Sequence, residues 1–328
     1  MQIMNIEEIF DSIHDELEEV EILLQQQGSG AEAPVLSRVG AHILSAGGKR
    51  FRPALSLLCG RLCGTPKGKR IPLAAAIELI HNATLLHDDI VDKAAIRRGQ
   101  TAAHLLWGDT AGVLTANLHF SKAFSLILEA GGINCLQIVT QTLNTIVEGE
   151  LLQFFRVGFT QMDEALYQEI ISRKTAHLIS TACQVGAEPG NKEAYIKSLV
   201  SFGYELGMAF QITDDLLDYT AEEEALGKKI GNDFLEAKLT LPLIITLSRS
   251  SPSEKQALLD LLLASQEERH AHFIWAKELI EKYQGFKDTY QKACEHIDKA
   301  IEALSFLPQD NKHLSLISLA RFVIERTK

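Results

Sequence analysis

Two copies of a short acidic pattern have the residue types and spacing for metal chemistry. Asp88-Asp89-Ile90-Val91-Asp92 recurs as Asp214-Asp215-Leu216-Leu217-Asp218. Apolar residues precede each copy: Ala83-Thr84-Leu85-Leu86-His87 the first, Ala209-Phe210-Gln211-Ile212-Thr213 the second. On a helix, residues four apart share a face, so Asp88 stacks with Asp92 and Asp214 with Asp218. Carboxylates in apolar settings must be protonated, paired or bound to cations. Mg²⁺ takes hard oxygen ligands, commonly one or two carboxylates completed by phosphates and waters. Two such helices facing each other across a cavity would hold Mg²⁺ and present it to a polyphosphate. A lone D-D-x-x-D serves equally well as a solvated acidic face; two copies, both flanked by apolar helix, favour the metal site. The spacing and the missing central Gly exclude an EF-hand.

A site of this kind must also bind anions, and the chain gathers cations near the acidic motifs. Gly47-Gly48-Lys49-Arg50-Phe51-Arg52-Pro53 puts three cations on a Gly-rich turn that leads into a helix, a cradle suited to diphosphate. Arg97-Arg98 precedes Gly99 just beyond Asp92, and Lys174-Thr175, Lys228-Lys229 and Lys238 add further cations. Each of these alone reads equally well as ordinary surface charge. His81, two helical turns before Asp88 on the same face, reads by itself as a core histidine.

The elements that must position these groups are helical. Ile6, Ile9, Phe10, Ile13, Leu17, Val20 and Leu24 recur at spacings of three and four, an amphipathic N-terminal helix within residues 1–27. Similar runs cover about 34–46, 53–64, 71–93, 110–130, 133–157, 163–186, 192–219, 240–248, 253–264, 270–284, 286–304 and 313–326. Two-residue alternation is scarce, and the eight prolines fall at or near helix starts and breaks. The expected fold is all-α, with 71–93, 133–157 and 192–219 in a central bundle. With no linker or low-complexity tract, one domain spanning 1–328 is expected.

Composition narrows the function. A net charge of −11 lacks the basic footprint of a nucleic-acid binder. The five scattered cysteines complete no zinc site and suit reduced, buried thiols in a cytoplasmic protein. The acidic N-terminus, from Glu7 to Glu21, is the reverse of a signal peptide, and no uninterrupted apolar run is judged long enough to cross a bilayer.

Seven ordered segments, GGKRFRP (47–53), HNATLLHDDIVD (81–92), RRG (97–99), EGELLQ (148–153), KTA (174–176), FQITDDLLDY (210–219) and LGKKIGNDFLEAKLTLP (226–242), give the chain a resemblance to the trans-type polyprenyl diphosphate synthases over nearly its whole length, most of all to the octaprenyl diphosphate synthases. That resemblance implies antiparallel helices around a deep central cavity, usually in a homodimer. It implies a transferase that extends an allylic prenyl diphosphate, such as farnesyl diphosphate, with isopentenyl diphosphate. The lipophilic product would be handed on to a membrane.

Residue roles follow from the same resemblance. Asp88, Asp92 and Asp214, supported by Asp89, Asp215 and Asp218, would coordinate a cluster of three Mg²⁺ ions. Arg97, Lys174, Lys228 and Lys238 would contact the allylic diphosphate, and Thr175 and Gln211 would line the allyl group. Lys49, Arg52, His81 and Arg98 match the isopentenyl diphosphate site. Ala116-Asn117 departs from the family's usual Gly-Asp, and Lys229-Ile230 from a small or Pro-containing pair, without removing an expected ligand.

Rival readings make distinct demands. A catalytic subunit of a heteromeric synthase would be inactive without its helper. A phosphohydrolase built on His87-Asp88 leaves the second acidic motif and the Gly-rich turn unexplained. A terpene cyclase needs no second diphosphate site at Lys49, Arg52 and His81. A purely structural helical protein has no use for six apolar-flanked aspartates.

Product length is expected to be set below the first motif. Ala83 and Thr84 lie about one turn deeper than Asp88, where short-chain members of the family carry a bulky aromatic. Small side chains there imply a product longer than farnesyl or geranylgeranyl diphosphate, although shorter-chain synthesis stays open. Ile77 and Ile80 on the same stripe, with Phe120 and Phe124 from the helix opposite, are candidates for the cavity floor, although residues of these types are more often plain core. Ala83→Phe is expected to shorten the product ladder; an unchanged length distribution would overturn this placement.

Overall fold

Apolar residues at helical spacing carry nearly the whole chain, and the computed structural model describes residues 5–29, 34–155, 163–221 and 231–326. The helices are α1 (Ile6–Ser12), α2 (His14–Ser29), α3 (Pro34–Ser45), α4 (Phe51–Cys63), α5 (Lys67–Val91), α6 (Ala103–Trp107), α7 (Asp109–Phe154), α8 (Glu164–Ile171), α9 (His177–Ala187), α10 (Glu193–Thr220), α11 (Asn232–Leu235), α12 (Leu241–Arg249), α13 (Pro252–Leu263), α14 (Gln266–Ala271), α15 (Phe273–Lys282), α16 (Gly285–Ala303) and α17 (Asn311–Glu325). A two-residue ladder, β1 (Ile96–Arg97) with β2 (Gln100–Thr101), is the one sheet among the described residues. The chain divides into two compact units.

The first unit comprises residues 1–141, 181–200 and 306–318. The expected N-terminal helix is two helices, because the backbone at Ile13 leaves helical geometry. On α2, Val20 and Leu24 are buried along with Glu16, whose carboxylate accepts from Arg61 Nε at 2.9 Å and Arg70 Nε at 2.6 Å. The acidic helix is thus held to α4 and α5 by buried ion pairs as well as apolar contact. α5 begins at Lys67, so Pro72 lies inside it rather than at its start. The proline removes one bond from the early turns, and the helix still runs 25 residues. It carries His81, Ala83, Asp88 and Asp89, and Asp92 is its C-terminal cap. Directly after it, Arg98 (φ 49°) and Gly99 (φ 77°) form the two-residue turn between β1 and β2. Positive φ at both positions is the turn geometry that matches strand twist. A ladder this short is invisible to periodicity.

The runs at 110–130 and 133–157 are joined as α7, kinked at Gly132 (φ 76°, ψ −171°). By length and composition α7 is apolar enough to cross a membrane. This corrects the expectation that no segment is, an expectation that came from reading the two halves separately.

The second unit comprises residues 142–180, 201–305 and 319–328. Its core gathers Tyr219, Phe234, Phe273 and Phe286, with Tyr219 6.2 Å from Phe273 and 5.9 Å from Phe286 between ring centroids. These rings fix the end of α10 just after Asp218, and α11 where Asp233 sits. The single helix expected over 163–186 is interrupted by a π-helical turn at Ser172–Ala176, an irregularity frequent at functional sites. Two glycines let neighbouring helices close on this turn. A Cβ on Gly207 of α10 would lie 2.5 Å from Ala176 Cα, and one on Gly149 of α7 would lie 2.7 Å from Arg173 Cβ. Gly207→Ala therefore forces α10 off the turn. It is expected to lower stability by about 1–3 kcal/mol, read as a lower thermal midpoint; wild-type stability would show that this contact yields freely.

Candidate functional site

In the second unit, α7, α8, the π turn, α10 and the segment around α11 enclose a pocket. Gln153, Tyr167, Lys174, Thr175, Gln211, Asp215, Asp233 and Lys238 supply its polar lining, and Ile170, Ile171 and Leu239 its aliphatic wall. The π turn places Lys174 and Thr175 side by side. Lys174 Nζ donates to Gln153 Oε1 at 2.6 Å and pairs with Glu150 at 2.8 Å. Thr175 Oγ1 donates to Gln211 Oε1 at 2.8 Å, and Gln211 Nε2 donates to Asp215 Oδ1 at 2.8 Å. Tyr167 OH completes the chain, donating to Asp215 Oδ2 at 2.5 Å.

Asp215 is buried, and burial pushes its carboxyl up to about 7 although Tyr167 and Gln211 both favour the ionised form. Burial first, then Asp215, holds the Tyr167 phenol well above its ordinary value. Asp233 is likewise pushed well above the carboxylate range, by burial and then by Asp215 and Asp218. The backbone N–H of Asp233 donates to Asp218 Oδ2 at 3.0 Å. Asp214 is more open: its side chain is 41% exposed and pairs with Arg326 Nη2 at 2.6 Å. The Arg326 guanidinium lies 4.3 Å from the Phe210 ring centroid. Lys238 pairs with Glu236 at 2.7 Å. Lys228 and Lys229 lie outside the described residues.

In the first unit, the three aspartates of the earlier motif differ sharply. Asp88 is half-buried and Asp92 exposed, while Asp89 is 2% exposed and its Oδ1 is taken by Arg97, at 2.7 Å from Nε and 2.5 Å from Nη2. The Gly-rich turn is also divided. Lys49 is exposed, and Arg52 Nη1 lies 3.3 Å from His81 Nε2. Arg50 does not join them, contrary to the three-cation cradle expected of this turn. Its guanidinium faces inward to Glu21, Glu78 and the Leu44 carbonyl. Arg98 donates to the Gly47 carbonyl.

Burial first, then Arg52, Arg98, Arg97 and Arg50, holds His81 well below its ordinary pKa. A guanidinium only donates, so the neutral ring accepts from Arg52. Deeper along α5, Ile77, Ile80 and Ala83 are fully buried, and Thr84 Oγ1 donates to the His81 carbonyl at 2.8 Å. The Phe120 ring lies 5.8 Å from His87 and 6.3 Å from Phe124.

Among the described residues, no three His, Cys, Asp or Glu side chains close on one point as a ready-made metal cage. An ion at Asp88, Asp92 or Asp214 would complete its shell from water or a bound ligand. That all-oxygen, incomplete donor set is the one Mg²⁺ commonly uses. Sequence reasoning did not single out Gln153, Tyr167, Asp233 or Arg326. Gln153 and Asp233 lie inside segments already quoted as characteristic, a signal that was available. Tyr167 and Arg326 sit in ordinary amphipathic helix and carry no local mark.

The sequence pattern of the family described as Polyprenyl synthetase matches residues 33–280. The octaprenyl diphosphate synthase of Escherichia coli is 35% identical over 327 residues, spanning 99% of this chain and all of that one. A short chain isoprenyl diphosphate synthase of Methanothermobacter thermautotrophicus is also 35% identical, over 334 residues and 99% of each chain. Among solved structures, a polyprenyl synthase from Caulobacter crescentus, complexed with calcium and isoprenyl diphosphate, superposes with a TM-score of 0.92 at 34% identity over the full length of both chains.

The suppressed basicity of His81 has a consequence for stability. The unfolded residue titrates near 6.5 and the folded one well below it. As pH falls below 6.5 the unfolded chain takes up a proton that the native state refuses, so stability is lost toward acid and intact above. His119, held by burial at about 4, acts with the same sign. Asp215, raised to about 7, and Asp233 take up protons in the folded state over the same range and act with the opposite sign. The His81 contribution is therefore read as a difference. Between pH 7.5 and pH 5 the wild type should lose on the order of 1–2 kcal/mol of stability relative to His81→Gln in denaturant unfolding; identical pH dependence in the two proteins would mean that His81 is protonated in the fold.

Proposed function

The chain belongs to the polyprenyl synthetase family and is a polyprenyl diphosphate synthase; we propose that it extends farnesyl diphosphate by successive condensations with isopentenyl diphosphate to a long all-trans product, octaprenyl diphosphate being the best match. The observation that carries this reading is the presence of two separate cation groups beside acidic motifs. Lys174 and Lys238 line the pocket of one unit; Lys49, Arg52, His81 and Arg98 gather in the other. One diphosphate ester would require only one such group.

In this reading Lys174, Lys238 and Arg97 hold the allylic diphosphate and offset charge as pyrophosphate departs. Thr175 and Gln211, fixed to each other and to Asp215, face the allyl group. Lys49 and Arg52 hold isopentenyl diphosphate, with His81 orienting the Arg52 fork as a neutral acceptor. Mg²⁺ held by Asp88, Asp92 and Asp214 would supply further positive charge to the leaving group. The double bond of isopentenyl diphosphate attacks the allylic cation, forming the new carbon–carbon bond. The proton then lost goes to pyrophosphate. Ile170, Ile171 and Leu239 shield the cation from water.

Overall likeness does not set product length, because relatives at the same identity carry octaprenyl and short-chain names. The local feature supporting a long chain is Ala83, which adds only a methyl group where a ring would block extension. Exposed apolar residues on α7, among them Leu114, Leu128 and Ile133, support a homodimer. The free cysteines, four of them buried, support a cytoplasmic setting.

The purified protein, given Mg²⁺, labelled isopentenyl diphosphate and farnesyl diphosphate, is expected to release pyrophosphate only when both substrates are present. Its products should extend beyond geranylgeranyl diphosphate, and EDTA should abolish turnover until Mg²⁺ is returned. Release from either substrate alone, or arrest at geranylgeranyl diphosphate, would overturn the reading.

A further inference from the structure

The acidic N-terminal helix, left without a role by the chemistry above, reaches the Gly-rich turn through one buried arginine. Arg50 is 9% exposed, and its Nη1 donates to Glu78 Oε1 of α5 at 2.9 Å. Its Nη2 donates to Glu21 Oε2 of α2 at 3.1 Å and to the Leu44 carbonyl of α3 at 3.2 Å, while its Nε meets Glu21 Oε1. One side chain thus ties three helices to the turn at the start of α4. Its backbone is left-handed, φ 48°, a strained conformation for a non-glycine residue. The strain persists because the guanidinium is held at four acceptors. With Arg50 turned inward, its neighbours lie elsewhere: Lys49 is exposed and Arg52 faces His81.

We propose that Glu21 and Glu78 are positioning residues for the isopentenyl diphosphate site: through Arg50 they lock the turn over residues 47–52 in the conformation that presents Lys49 and Arg52 to that diphosphate. This rests on the assignment of Lys49 and Arg52 to isopentenyl diphosphate. The same pair of helices provides an internal comparison. Glu16, also on α2 and also buried, bonds Arg61 and Arg70 of α4 and α5 without touching the turn. A role confined to stability would make Glu16 and Glu78 equivalent. A positioning role separates them, because small displacements of a binding group cost orders of magnitude in productive binding.

The experiment is steady-state kinetics and calorimetric binding of isopentenyl diphosphate on full-length Glu78→Gln, Glu21→Gln and Glu16→Gln. Glu78→Gln should raise KM and Kd for isopentenyl diphosphate about tenfold and Glu21→Gln about threefold, with KM for the allylic diphosphate within about twofold of wild type. Glu16→Gln should lower the melting temperature and leave both KM values unchanged. A change below about twofold in both clamp variants, or an equal rise in Glu16→Gln, would overturn the proposal. Glu21 is 35% exposed, so its variant decides the matter if Glu78→Gln fails to fold. Binding is measured without turnover, so a wild-type protein that binds isopentenyl diphosphate but does not condense it refutes the proposed reaction and leaves the clamp to be judged on Kd.

Discussion

The constraint that shapes this molecule is the desolvation of charge. Its acidic groups are set into long apolar helices, where an ionised carboxylate without a partner is too costly to persist. The fold answers in two ways. Some carboxylates are matched by arginines within the chain: Glu16 with Arg61 and Arg70, Glu78 with Arg50, Asp89 with Arg97. Others are more exposed, as Asp88, Asp92 and Asp214 are. The first kind builds the frame; the second is the set proposed for metal binding.

This division explains why neighbouring residues of one motif behave so differently. Asp89 sits one position from Asp88, but the helix turns it toward the hairpin, where Arg97 closes on it. Asp215 is likewise turned inward from Asp214, onto Tyr167 and Gln211. Each motif therefore contains its own support: one carboxylate is committed to holding local structure, and the other aspartates of the motif are more exposed than it is. The Gly-rich turn repeats the pattern with the opposite sign, as Arg50 is paired inside while Lys49 is exposed and Arg52 meets His81.

Close backbone approach does the remaining positioning. Gly149 and Gly207 allow helices to press on the π turn from either flank, which sets Lys174 and Thr175 at the pocket. A regular helix over 163–186 would place these side chains in a different register. The irregularity is stabilised by packing rather than by local preference, which is why no sequence rule reveals it.

Much was legible beforehand because it depends on short-range chemistry. Helical periodicity, the doubled acidic pattern and the cations beside Gly47-Gly48 are properties of a few adjacent residues; the periodicity sufficed for the all-α fold, and the two patterns named the aspartates and cations from which the proposed site is built. What only tertiary structure decided concerns pairing across distance: that Arg50 belongs to Glu21 and Glu78 rather than to a ligand, that Asp89 belongs to Arg97, that Tyr167 reaches Asp215 and Arg326 reaches Asp214. Sequence determines which groups carry charge and which face of a helix they share. Whether a given charge is consumed by a partner or left open is set by residues tens to hundreds of positions away, and only the packed chain brings those together.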